Sequence, residues 1–169
     1  MASHLGTQPG LFSDSDGLPL LVLSLKPKWH QRFVEATKAF EYRRKFYDGP
    51  FVAAVYVSGN VLALAALAEF GAPITGSPYD LAQLAEEADE LPSKGLTEYF
   101  AGAPRPMALP MVRYRPMTKI PLDEIRASVP GFQPPQSYSF LERNPRLLDV
   151  INSHPDWRAE LIEWTHREP

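Results

Sequence analysis

The chain has 169 residues, of which 44% are hydrophobic and 22% charged, and its formal net charge is -3. This length favours one domain, at roughly 150 residues per domain, and the composition excludes a disordered or fibrous protein. The chain has no cysteine, which excludes a disulfide scaffold, a thiolate zinc site, a cysteine nucleophile and an iron–sulfur cluster. No apolar run reaches the roughly 18 residues of a membrane span, and the N-terminus lacks signal-peptide character. We expect a cytoplasmic protein.

The first third of the chain predicts a strand, a helix and a second strand. Residues 1–18 are rich in Gly, Ser and Asp, which favours a flexible tail. The apolar run Leu20–Leu25 predicts a strand, and Pro27 suits the first turn of a helix that ends near Ala36. From Ala39 to Phe46 apolar and charged residues alternate. Alternation predicts a strand, and its charged face would carry Glu41, Arg43 and Lys45.

The central third predicts a pair of strands and two helices. Phe51–Val57 and Val61–Phe70 are expected to be strands that meet at a hairpin-like break, although the alanine content of the second also permits a helix. The pair Ser77 and Pro78 is typical of a helix start, and this helix is expected to end near Ala88. A second, shorter helix is predicted over residues 95–100.

Beyond residue 100 the pattern returns to a strand and then becomes helical. Met107–Met117 is expected to be interrupted at Pro110 and stopped at Pro116, so this strand should be bulged or at a sheet edge. A short helix over 121–127, a proline-rich link over 131–136 and two helices over 145–153 and 155–167 follow. The resulting order predicts an α+β fold, a small mixed β-barrel or sheet with flanking helices.

The domain organisation follows from the same pattern. We expect a tail over residues 1–18, one domain over 19–141 and a helical extension over 142–169 that packs on the domain. In the last helix Trp157, Leu161 and Trp164 share one face. That face favours packing onto the domain over a surface for a protein partner, which stays the less favoured alternative.

The charge is distributed unevenly along the chain. Between Lys26 and Lys45 there are seven Lys or Arg and two acidic residues, a local balance of +5, so the remaining residues sum to -8. A concentrated basic patch is what an anion-binding groove requires, because the electric field depends on local charge. The alternative is that these side chains are the solvated faces of one helix and one strand.

A motif in this basic segment resembles a known family. The run Leu23-Ser-Leu-Lys-Pro-Lys28 and the later run Ala36-Thr-Lys-Ala-Phe-Glu-Tyr-Arg-Arg44 resemble the signature of ASCH domains, written G-x-K-x-x-E-x-R. Lys38, Glu41 and Arg43 fall on its charged positions, and Ala36 replaces its glycine. The segments Tyr56-Val-Ser58 and Pro134-Pro-Gln-Ser-Tyr138 also resemble the family, and the similarity spans about residues 20–141.

The resemblance implies a β-barrel of the PUA-like superfamily with a cleft beside the first helix that is suggested to bind RNA or a modified base. Some relatives are amidohydrolases that act on acylated cytidine, and others are reported as ribonucleases. The amidohydrolases carry their Lys at the position of Lys38, but they have a Thr nucleophile where this chain has Glu41. This difference argues against the same amidohydrolase mechanism.

The charged motif suggests its own chemistry. Lys38 and Arg43 would flank Glu41, whose carboxylate can accept from the exocyclic amine of a base or act as a general base. The two cations can hold a phosphate or a carbonyl oxygen. A ladder of ion pairs that closes the barrel is the structural alternative, and Arg43 fits it best. The other candidates for nucleic-acid contacts are Lys26, Arg44, Tyr56, Gln136, Ser137 and Tyr138.

We therefore expect a domain that binds RNA, another single-stranded nucleic acid or a modified nucleoside in a basic cleft. The alternative is a hydrolase that uses the same cleft, an amidohydrolase on N4-acylated cytidine or a ribonuclease, with Lys38 and Glu41 as its acid–base pair. The histidines lack the spacing of a metal site. No metal and no cofactor is expected, so such a hydrolase would be metal-independent.

Overall fold

The computed structural model describes residues 17–88 and 91–166. These residues form seven strands and six α-helices. The strands are β1 (Leu20–Leu25), β2 (Phe40–Arg43), β3 (Phe51–Val57), β4 (Ala63–Phe70), β5 (Ile74–Thr75), β6 (Met107–Pro121) and β7 (Tyr138–Phe140). The helices are α1 (Pro27–Val34), α2 (Pro78–Glu87), α3 (Ser93–Phe100), α4 (Leu122–Ser128), α5 (Pro145–Asn152) and α6 (Pro155–Thr165).

The strands form one mixed sheet that curves into a half-barrel. Their order is β2-β6-β4-β3-β1-β7, and β5 pairs with the start of β6. The pair β1 and β3 is parallel and every other pair is antiparallel. The predicted α+β class with flanking helices is therefore confirmed. No helix in the described part of the chain is long and apolar enough to cross a membrane.

The alanine-rich segment that also permitted a helix is strand β4. It lies in the middle of the sheet between β3 and β6, and all eight of its residues are buried. Small alanine side chains suit a strand whose two faces are both covered by other parts of the fold. Tertiary packing here outweighs the helical propensity of alanine, which is a weak preference.

Strand β6 is longer than the sequence predicts. Its 15 residues continue through Pro110 and Pro116, so the expected stop at Pro116 is wrong. Pro110 lies where β6 exchanges its partner β2 for β4, and Pro116 lies beside a register shift opposite Leu64 and Ala66. A proline lacks a backbone donor, and at a bulge that donor is not needed. The predicted bulge is confirmed.

Three shorter features also differ from the prediction. Strand β2 ends at Arg43 rather than Phe46, because the chain bends after Arg43. The strands β5 and β7 have two and three residues and were not predicted. Such short strands have too few residues to show a period of two, and their pairing partners lie far away in the chain.

The helix starts follow the prolines closely. Pro27, Pro78, Pro145 and Pro155 each lie in the first turn of a helix. The Ser77 hydroxyl accepts from the Asp80 backbone N–H, and the Asp80 side chain accepts from the Ser77 N–H, which is a reciprocal capping box. Pro121 is the residue before α4 rather than its first residue.

The core divides into three clusters. One contains residues of the sheet together with α4, α5 and α6, and a second contains Phe33 of α1 with the other face of the sheet. A smaller third cluster packs α2 and α3 against Tyr42 and Ala108. The side chains of Trp157, Leu161 and Trp164 lie in the first cluster and are at most 3% exposed. This face of α6 is therefore covered and offers no surface to a partner.

The limits of the domain stay predictions. Residues 1–16 of the expected tail lie outside the described residues, and so do residues 167–169 of the expected extension. The strand β7 ends at Phe140, and the one-turn 3-10 helix over Leu141–Arg143 leads directly into α5.

Candidate functional site

A cavity of about 840 Å³ opens at one end of the half-barrel. It lies where the end of β1, the start of α1, strand β2, helix α3 and the link before β7 come together. Its polar and aromatic lining consists of Ser24, Lys26, Lys28, Trp29, Lys38, Glu41, Tyr42, Arg43, Tyr56, Ser58, Tyr99 and Gln136. Its size falls within the range typical of small-molecule sites.

Lys38 is held at the wall of this cavity by the turn that follows α1. The turn passes through Ala36, which has the left-handed φ of 56°, and the Arg32 guanidinium donates to the Thr37 carbonyl at 2.7 Å. Lys38 is 3% exposed. Its ammonium lies 4.7 to 5.4 Å from the ring centroids of three aromatic residues, which are Tyr42, Trp29 and Phe33. Cation–π attraction to these rings therefore holds the Lys38 ammonium at a position that is almost inaccessible to solvent.

Glu41, on strand β2, lies between the Lys38 ammonium and the Arg43 guanidinium. Its carboxylate is 3.8 Å from the Lys38 ammonium and 3.1 Å from Nε of Arg43. Residues two apart on a strand share a face, so β2 brings Glu41 and Arg43 together, while Tyr42 packs in the cluster with α2 and α3. Glu41 is 6% exposed. The site thus has one buried carboxylate and two cations, an excess of positive charge.

Arg43 also makes contacts between the two edges of the sheet. Its Nη2 donates to the Ser24 carbonyl at 2.8 Å, and its Nη1 reaches the Ser137 hydroxyl at 3.5 Å. Nε has no hydrogen-bond partner among the described residues, so its 3.1 Å contact with Glu41 is an ion pair without hydrogen-bond geometry. β2 and β7 are the two edge strands of the sheet and do not pair with each other. The Arg43 side chain therefore links edge strand β2 to Ser137, the residue that precedes edge strand β7.

Two lysines lie at the opening of the cavity. Lys26 precedes Pro27 at the start of α1, and both Lys26 and Lys28 are exposed. The Lys28 ammonium lies 4.4 Å from the centroid of the Trp29 ring. The first turn of α1 contains no acidic residue. The opening therefore carries positive charge that no carboxylate of that turn offsets.

Besides Tyr42, the tyrosines Tyr56 and Tyr99 line the cavity. Burial raises the pKa of Tyr56, against the opposing influence of Arg126. Burial likewise raises the pKa of Tyr99, and the positive charge of Arg43 opposes it. The Tyr99 hydroxyl donates to the Tyr42 carbonyl at 3.3 Å. Both phenols are therefore neutral hydrogen-bonding groups near neutral pH.

The structure brings six of the nine residues expected at the site to the cavity. These are Lys26, Lys38, Glu41, Arg43, Tyr56 and Gln136. Three others lie elsewhere. The Arg44 guanidinium donates to the carbonyls of Tyr99 and Ala101 at the end of α3. The Ser137 carbonyl accepts from the Ser24 N–H, and the ring of Tyr138 packs against Phe46 with centroids 4.3 Å apart.

Six polar or aromatic lining residues were not expected at the site, namely Lys28, Trp29, Tyr99, Ser24, Tyr42 and Ser58, and the first three have the clearest chemical use. An aromatic residue between basic ones at the start of a helix is a usable signal for the first two. Nothing in the sequence near Tyr99 indicates a site, because the fold alone brings α3 across from β2. Among the described residues no group of three or more His, Asp or Glu side chains is placed to hold a metal ion.

Solved structures with a similar fold are known. An ASCH protein from Zymomonas mobilis matches with a TM-score of 0.65 and 22% sequence identity, over 88% of this chain and 97% of that one. The chain has the ASCH fold. Two singly substituted variants of the same protein match with TM-scores of 0.66 and 0.65 at 21% identity, over 89% and 88% of this chain and 99% of each. No family model matches the sequence, and no curated protein sequence matches it significantly.

The ASCH fold confirms the expected family resemblance at the level of the fold. In this chain Lys38, Glu41 and Arg43 of the expected motif stand together at the cavity. Ala36, at the position of the motif's glycine, takes the left-handed backbone conformation that glycine adopts most readily.

Proposed function

We propose that this ASCH-fold protein binds RNA or a modified nucleoside, with one base inside the cavity. The observation that carries the proposal is the buried Glu41 between Lys38 and Arg43 at the cavity wall. A buried charge cluster beside a cavity costs free energy to desolvate, so it is retained most readily where it contacts a ligand. The expected cytoplasmic location is part of this proposal.

Each group has a defined chemical use. The Glu41 carboxylate accepts from the exocyclic amine of a base, and the cations beside it donate to carbonyl oxygens of the same ring. Trp29 and Tyr99 offer aromatic surface for stacking, which is how proteins hold unpaired bases. Gln136 adds an amide that can both donate and accept. Together they match the edge and the face of one base.

Tryptophan fluorescence provides a test of this proposal. Trp29 lines the cavity, whereas the other two tryptophans are buried in the core. We expect single-stranded RNA or N4-acetylcytidine to quench the emission of the wild-type protein saturably at low salt. In Trp29→Phe the quenching should be lost while calorimetry still detects binding. The absence of heat and of quenching with RNA, single-stranded DNA and nucleosides would exclude the proposal.

A hydrolase is the second candidate, and the Lys38–Glu41 pair favours it. The two charged groups lie 3.8 Å apart at the cavity wall, and Lys38 and Glu41 are 3% and 6% exposed. A general acid and a general base must lie this close to act on the same substrate. In such a reaction Glu41 would take a proton from water, the oxygen would attack the acyl carbon, and Lys38 would donate a proton to the departing amine. For a phosphodiester the leaving group would be a ribose oxygen.

Turnover separates this candidate from binding alone. The protein is incubated with N4-acetylcytidine and, separately, with end-labelled RNA, and Lys38→Ala is treated in the same way. A hydrolase would convert one of the two substrates, and the variant would lose at least about a hundredfold of that rate. Binding without conversion, or conversion that survives the substitution, would count against a hydrolase.

A further inference from the structure

The cavity carries a charge that a neutral nucleoside does not use. Among the described residues, four cations and one carboxylate line it, which are Lys26, Lys28, Lys38, Arg43 and Glu41, a balance of +3, although the chain as a whole carries -3. Glu41 is the carboxylate that both Lys38 and Arg43 contact in this lining. The cavity therefore attracts anions, and its field would concentrate them at the opening.

The positive charges are also segregated by depth. Lys38 is buried and surrounded by aromatic rings, and Arg43 is committed to Ser24 and Glu41. Lys26 and Lys28 are exposed at the opening, on either side of Pro27 at the start of α1. An anionic group of the ligand therefore belongs at the opening, while the neutral base fills the interior.

We propose that Lys26 and Lys28 form a phosphate subsite, so that the ligand is a nucleotide unit and not a free nucleoside. This inference rests on the proposed function, because it assigns the base to the cavity. A phosphate bound to one nucleotide in the cavity lies at the opening, where two flexible ammonium groups can contact its oxygens. The unit is a free mononucleotide or one residue of an RNA strand, since both present the same phosphate.

The test compares ligands that differ only in the phosphate. Cytidine, its 5′-monophosphate, its 3′-monophosphate and a short single-stranded RNA are titrated calorimetrically at low salt. At least one monophosphate, or the RNA, should bind about tenfold more tightly than cytidine. Preference for a monophosphate identifies a free nucleotide, and preference for RNA identifies a residue of a strand. Equal affinity for all four would overturn the subsite and leave the proposed function standing.

A matched pair of double variants locates the effect. Lys26→Ala/Lys28→Ala should lower the affinity for the preferred phosphorylated ligand about tenfold, toward that of cytidine, and leave the cytidine affinity unchanged. Lys45→Ala/Lys119→Ala removes the same charge from exposed lysines outside the cavity lining and should change neither affinity. Equal losses in the two double variants would overturn the subsite, because long-range attraction would then explain the preference. Absence of binding by all ligands would overturn the proposed function as well.

Discussion

Two buried carboxylates on this sheet, Glu41 and Glu69, are in different settings. Glu69 on β4 pairs with Arg113, directly opposite on β6, at 2.8 Å, and the Arg113 guanidinium lies 3.9 Å from the Trp164 ring. Glu41 has two cations beside it and a cavity in front of it. Among the described contacts, the Glu69 pair has one acid and one cation and lies against Trp164 of α6, whereas the Glu41 cluster has one acid and two cations and faces the cavity. The proposed function therefore assigns the Glu41 cluster to ligand binding and the Glu69 pair to the stability of the fold.

The largest expected effect on the free energy of unfolding comes from Trp164, which covers the Glu69–Arg113 pair. Trp164→Ala should lower the free energy of unfolding by about 3 to 5 kcal/mol, because it empties a large volume of the core and uncovers Arg113. Chemical denaturation measures the loss. Ile162→Ala, on the same helix at a residue that is 53% exposed, is the control and should change stability little. Comparable losses in both variants would mean that α6 stabilises the fold in some other way.

The two carboxylates should respond unequally to neutralisation. Glu41→Gln removes the carboxylate that lies beside the buried Lys38 ammonium and the Arg43 guanidinium, so it should lower the free energy of unfolding by about 2 to 4 kcal/mol. Glu69→Gln removes the carboxylate beside Arg113, whose side chain is 36% exposed, so about 1 to 2 kcal/mol is expected. The measurement is again denaturation of both variants. A larger loss for Glu69→Gln would contradict the excess of positive charge at the cavity.

Sequence and structure agree best where a pattern is local. The proline starts of the helices, strands β1 and β3 and the charged motif around Glu41 were all predicted, because each depends on neighbours in the chain. The seven cations between Lys26 and Lys45 were predicted to form one basic patch, yet Arg32, Arg44 and Lys45 do not line the cavity. Where a long side chain reaches depends on elements brought close by the fold, such as α3 for Arg44. For the same reason the sequence did not indicate Tyr99.

A substitution in the turn that positions Lys38 should have a smaller effect on the free energy of unfolding, and it should raise it. Ala36 has a φ of 56°, where a Cβ is strained and glycine is not. Ala36→Gly should therefore raise the free energy of unfolding by about 0.5 to 1 kcal/mol, after the greater freedom of glycine in the unfolded chain is subtracted. Ala127→Gly, an exposed position within α4, should lower it by a similar amount. Thermal unfolding of both variants tests the difference in sign.

The smallest expected effect depends on pH. Burial, and then the charge of Lys119, lower the pKa of His30, whose Nδ1 lies 2.6 Å from the Tyr114 hydroxyl. The unfolded chain therefore binds this proton more tightly than the folded protein does. The contribution of His30 is complete above the unfolded pKa of 6.5 and is lost as the pH falls below it. His30→Asn should remove this part of the pH dependence, and denaturation at about pH 8 and about pH 5 measures it.

The central claim is that the excess cation at Glu41 serves a ligand, and Lys38→Met tests it most directly. Methionine fills the space between the three rings and leaves Glu41 matched with Arg43, so the variant should keep its stability within about 1 kcal/mol. Its affinity for single-stranded RNA or the preferred nucleotide should fall at least about tenfold. Lys45→Met, at an exposed residue outside the lining, should bind as the wild type does. A Lys38→Met protein that binds with wild-type affinity would contradict the account, and so would one that is strongly destabilised.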